Sequence, residues 1–107
     1  MPMINHTMLV SFTEPVSDDD LAEFVADVEA AMRASGIVRG FQSRRHIPVA
    51  GEENIPAFIA TAVLQFLVAD EADLAALFAA PGAGDVIHRW QALHPYRVAW
   101  VNHEVNA

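Results

Sequence analysis

The sequence predicts an α+β domain, a four-stranded antiparallel sheet with helices on one face, in chain order β-α-β-β-α-β. Three observations lead there. Residues 57–68, AFIATAVLQFLV, carry no charge, Gly or Pro, and β-branched and aromatic residues recur through them. They read as a strand whose two apolar faces are both covered. Two further stretches, Met3–Phe12 and 96–103, alternate as strands do. Between the strands lie segments with apolar residues at helical spacing, each opened by a Ser or Asp cap.

Taken in order, the first strand sets Ile4, His6, Met8, Val10 and Phe12 on one face and Asn5, Thr7, Leu9 and Ser11 on the other. Glu14-Pro15 ends it. Ser17 caps a helix with Asp18, Asp19 and Asp20 in its first turn, where the helix dipole favours negative charge. Leu21, Phe24, Val25, Val28 and Met32 form its apolar stripe, and Ser35-Gly36 stops it. A second strand is expected over residues 37–47. It turns Phe41, Ser43, Arg45 and Ile47 one way and Gln42, Arg44 and His46 the other.

The polar turn region 48–56 makes a hairpin of this strand and the long one. In the long strand, Phe58, Ala60, Ala62, Leu64, Phe66 and Val68 share one face, and Ile59, Thr61, Val63, Gln65 and Leu67 the other. Asp70 caps a second helix that points Leu74, Leu77 and Phe78 inward. Pro81-Gly82-Ala83-Gly84 breaks it, and Asp85 opens a further segment with Val86, Ile87, Trp90 and Leu93. His94-Pro95 closes that segment, and the last strand places Val98 and Trp100 together. This is the split βαβ, or ferredoxin-like, arrangement with the first and third strands central. One sheet face stays bare in a monomer. A homodimer through that face is expected, with Asn5, Thr7, Leu9, Thr61 and Gln65 toward the partner.

Composition narrows the functions. A chain of 107 residues is one domain, 1–107, and 53% hydrophobic against 19% charged residues makes it globular. The net charge of −8, with six Arg and no Lys, repels phosphate backbones and excludes nucleic acid as a partner. Without Cys there are no disulfides, thiolate nucleophiles or iron–sulfur clusters. Neither a signal peptide nor a membrane-spanning run is present, so a cytoplasmic location away from the membrane is expected.

The chemical resources are His, Trp, Tyr and Arg. His6, flanked on its strand face by Ile4 and Met8, is either a hydrogen-bonded core residue or a neutral base in a pocket wall. For a pocket, the expected floor is His6, Met8 and Val10 and the walls are Phe24, Leu77, Trp90 and Trp100. Arg44 or Arg45, from the one positive cluster, would orient an acidic group at the mouth. The histidines show no metal-ligand spacing, Gly82-x-Gly84 follows a helix rather than a strand, and no Ser has a nucleophile context. Neither metal nor cofactor is expected.

The opening INHTMLVSF, the Ser-capped acidic helix, AFIATAVLQF followed by DEADLAALFAAP, and the aromatic closing strand resemble the dimeric α+β barrel superfamily. Within it the likeness is to the stress-responsive A/B-barrel family, which includes a plant olivetolic acid cyclase. His6 matches a pocket His of that cyclase, and Gly84-Asp85-Val86 matches a motif in its last helical segment. The cyclase's catalytic Tyr and His lie around a His-Pro-x-His motif. Here that motif reads Ala80-Pro81-Gly82-Ala83, with Leu77 at the Tyr position, so its dyad does not carry over. The stretches RRHIPVAGE, PAFIATAVLQF and RWQALHPYRVAWVNHE are similar to REDY/HapK-type proteins of prodigiosin-pigment pathways. The resemblance implies a protein that takes an apolar biosynthetic intermediate. It would act either as a cofactor-free cyclase, dehydratase or condensing enzyme, or as a non-catalytic accessory that shields the intermediate.

Overall fold

The computed structural model describes residues 2–105, so Met1, Asn106 and Ala107 of the expected domain lie outside the described residues. The elements are β1 (Met3–Phe12), α1 (Asp18–Arg33), β2 (Gly40–Arg45), β3 (Ala62–Val68), α2 (Glu71–Phe78), α3 (Ala83–Leu93) and β4 (Tyr96–Val105), with a short 3₁₀ turn at Glu52–Asn54. All strands pair antiparallel in the order β2-β3-β1-β4, which puts the first and third strands in the centre. The molecule is 19 Å across its thin axis, the depth of one sheet and one layer of helices.

The caps act as their chemistry dictates. The Ser17 hydroxyl accepts from the Asp20 N–H at 3.1 Å, and Asp70 Oδ1 accepts from the Asp73 N–H at 2.8 Å. Two helices, α2 and α3, follow β3, with the break expected over residues 81–84 between them. Gly82, at φ 90°, takes the left-handed conformation that lets the chain turn from α2 into α3. The new helix therefore starts at Ala83, two residues before Asp85, and Gly84 belongs to its first turn rather than to a loop. The core lies between the layers, where Val10, Phe24, Leu64, Phe66 and Val68 are fully buried.

The long strand is shorter than its sequence implies. Residues 57–61 are not strand, although their composition matches that of Ala62–Val68. Both ladders of β3 end at Ala62: β1 last pairs with it at Val10↔Ala62, and β2, at its own last residue, at Arg45↔Ala62. One more turn of bonding follows, from the Thr61 N–H to the Val10 carbonyl at 2.8 Å and from the His46 N–H to the Thr61 carbonyl at 2.8 Å. Beyond it β1 pairs with β4 alone, the Thr13 N–H lies on the Pro95 carbonyl, and residues 57–60 have no ladder to join. Phe58 is accordingly 72% exposed instead of facing the core. β2 ends at the same place and is Gly40–Arg45 rather than the expected 37–47.

On the sheet face away from the helices, Thr7, Gln65, Gln42 and His103 form a hydrogen-bonded row across all four strands. The Gln42 amide donates to Gln65, Gln65 to Thr7 Oγ1 at 3.2 Å, and Thr7 Oγ1 lies 2.7 Å from His103 Nε2. Leu9 and Val101 share this face, half exposed. Thr61 lies just before β3. Its hydroxyl turns to accept from the Phe12 N–H at 3.0 Å.

Candidate functional site

A cavity of about 420 Å³ opens between the β1–β4 half of the sheet and the helices. Its position follows from the helix layout. α2 packs over β1 and β3 while α3 packs against α1, so the helix-side face of β4 is thinly covered and Val98 and Trp100 remain partly exposed. The lining is nearly all apolar, with His6, Gln91 and Tyr96 as its polar members.

His6 is the one buried ionisable side chain on the β1 face, 3% exposed. Strand pairing sets it opposite Asn102 of β4, and its Nδ1 lies 2.8 Å from Asn102 Oδ1. An amide oxygen only accepts, so Nδ1–H donates and the neutral ring keeps its lone pair on Nε2. Among the described residues Nε2 has no hydrogen-bond partner, yet no buried side-chain nitrogen or oxygen is left unpartnered. Nε2 is therefore reached from the cavity. Burial lowers the imidazole pKa below its ordinary value, and the Asn102 bond opposes this only in part. The ring stands edge-on to Phe78 at 5.1 Å and tilted against Trp100 at 5.2 Å, and those two rings lie 5.3 Å apart.

Tyr96 also lines the cavity, and its backbone pairs with Phe12, six residues and so roughly 20 Å along β1 from His6. Gln91 clamps the Tyr96 backbone, donating to its carbonyl at 2.8 Å and accepting from its N–H at 3.1 Å. Burial raises the Tyr96 pKa further above its ordinary value. The space is thus an apolar slot with one proton acceptor, His6 of β1, and Tyr96 of β4 in its lining.

Of the expected pocket residues, His6, Met8, Phe24, Leu77 and Trp100 line this one cavity. Val10 and Trp90 do not. Val10 is fully buried under the helices, and Trp90 is held in the core with Nε1 donating to Asp27 Oδ2 at 2.9 Å. Arg44 and Arg45 require a correction, since β2 lies two strands from β1, roughly 10 Å from the cavity floor. Arg44 faces the side away from the helices, opposite Val63. Arg45 binds Asp18 at 3.0 Å and the Val16 carbonyl at 3.2 Å. Neither reaches the mouth. Phe78, expected in the core, is half exposed and caps His6 instead.

The sequence did not mark Asn102, Phe78, Gln91 or Tyr96 as residues of the site. Strand alternation carried the signal for Asn102, because Val98 and Trp100 share a face on which the next member is residue 102. Among the described residues no group of three or more His, Asp or Glu side chains is placed to hold a metal ion, and no helix is long and apolar enough to cross a membrane.

The chain is a ferredoxin-like α+β domain with an apolar cavity on the helix side of its sheet. Solved structures share this fold. A DABB family protein from Mesorhizobium loti superposes with a TM-score of 0.74 at 15% identity, covering 100% of both chains. A hydroxynitrile lyase from Passiflora edulis gives 0.74 at 12% identity over 98% of this chain and 94% of its own. HapK from Hahella chejuensis gives 0.69 at 15% identity over 97% and 93%. No protein-family model matches the sequence, and no curated protein matches it either.

Proposed function

We propose that this chain takes an apolar intermediate of secondary metabolism, of the prodigiosin-pigment type, and promotes its cyclisation, dehydration or condensation without a cofactor. The observation that carries this is His6, a neutral imidazole with its Nε2 lone pair open to an apolar slot. A base with a depressed pKa stays unprotonated at neutral pH, and the slot holds the substrate in a near-attack conformer while Nε2 takes the proton. Support for the pigment pathway comes from the RRHIPVAGE and RWQALHPYRVAWVNHE stretches, with the fold shared with HapK beside them. The test is product formation from pathway intermediates with purified protein, followed by mass spectrometry. Conversion faster than in buffer is expected. Saturable binding with no change in rate would make the protein a carrier that shields its ligand.

The working unit is a homodimer joined through the sheet face away from the helices. Leu9 and Val101 on that face are 46% and 57% exposed, and the Gln42–Gln65–Thr7–His103 row would fix the register of the two sheets. Light scattering at micromolar concentration is expected to give about twice 11.7 kDa, and Val101→Asp to give the monomer. A monomeric parent protein would contradict this arrangement.

A further inference from the structure

The charges of this chain bear on what the slot takes. Its cations are six Arg and no Lys. Arg33, Arg45 and Arg89 pair with Glu29, Asp18 and Asp27. Arg44 and Arg97 lie across from Val63 and Ser11 on the sheet face away from the helices, and exposed Arg39 precedes β2. None of them lines the cavity. The groove on the other side of Phe78 carries the carboxylates Glu71 and Glu104 beside Asn102 and His103. A ligand carboxylate or phosphate in the slot would lose its water without gaining a counter-ion, beside acidic groups on a chain of net charge −8.

The polar groups of the slot select in the opposite sense. Asn102 Oδ1 occupies the one imidazole proton, so His6 offers its ligand only an acceptor. Phe78 and Trp100 flank that ring at 5.1 and 5.2 Å, so a group that reaches Nε2 does so along aromatic surfaces. We infer that the ligand is a neutral, flat, apolar molecule that donates an O–H or N–H hydrogen bond to His6 Nε2, and that acids are rejected. The inference rests on the proposed function's use of the cavity as a small-molecule site, and it assigns Asn102 as a positioning residue that fixes the acceptor.

The experiment titrates the full chain at neutral pH with a naphthol, its methyl ether and the corresponding naphthoate, following the His6 and Trp100 ring signals by NMR. Indole against its N-methyl derivative does the same for an N–H donor. Each donor is expected to bind about tenfold tighter than its methylated counterpart. The naphthoate is expected to show no saturable binding, and His6→Phe to erase the preference for donors. Equal affinity for donor and methylated probes in both pairs, or naphthoate binding as well as naphthol, would overturn the inference and leave the cavity a ligand site. Failure of every probe to bind would overturn the ligand-site reading itself, and the inference with it.

Discussion

His6→Gln is expected to lose about 10²–10⁴-fold of turnover while binding and fold are retained. The amide of Gln stays neutral and can still donate to Asn102 Oδ1, so neither cavity nor strand pairing loses its hydrogen bond. It cannot take up and release a proton. His6→Ala differs, because it removes a buried ring packed against Phe78 and Trp100 as well as the donor to Asn102, and costs about 0.5–3 kcal/mol of stability besides. The pH dependence follows from burial, which lowers the folded-state pKa of His6 below its unfolded value near 6.5. Turnover should therefore persist below pH 6.5 and fall only as pH drops through the lowered folded value. Stability has the matching sign. Below about pH 6.5 the unfolded chain binds a proton that the folded chain refuses, so stability declines as pH falls toward the folded pKa. His6→Gln should remove that part of the decline in pH-resolved urea denaturation. Full turnover in His6→Gln would show that another group moves the proton.

Phe24→Ala is expected to cost about 3–5 kcal/mol in denaturant unfolding, the largest single effect on stability. Phe24 is fully buried on α1, and its ring lies edge-on to Phe12, Tyr96 and Trp90 at 5.2, 5.1 and 5.5 Å. One side chain thus joins α1 to β1, β4 and α3, and truncation leaves a void that three rigid rings cannot fill. Phe58→Ala is the contrast. With 72% of Phe58 in solvent, its loss should change stability by no more than about 0.5 kcal/mol. A large loss at Phe58 would mean that residues 57–61 are held in the sheet after all.

The two phenylalanines mark what the sequence reveals and what it withholds. Helical spacing identifies Phe24 as core because a stripe on one helix needs only that helix to be read. Phe58 has the same apolar character in a run of high β-propensity, but a strand also needs a neighbour, and neither β1 nor β2 extends that far. Alternation set His6 on the helix-facing side of β1 and separated Arg44 from Arg45, both as found. Alternation says nothing of which sheet edge a strand occupies. Two arginines expected at the mouth therefore stand at the β2 edge, while the cavity lies under β1 and β4. Val10 and Trp90 show a related gap, since an inward-facing position does not distinguish a cavity wall from packed core. Asn102 was within reach, one step further along the face that Val98 and Trp100 define.

The state of the His6 ring tests the account most directly. A long-range ¹H–¹⁵N spectrum of the imidazole groups, recorded through a pH titration of the unliganded protein, reports both tautomer and protonation. His6 is expected to be neutral at pH 7 with its proton on Nδ1, and to titrate with a midpoint below the ordinary value near 6.5. A ring protonated on Nε2 at pH 7, or a midpoint at or above 6.5, would contradict it, because no lone pair would then face the cavity.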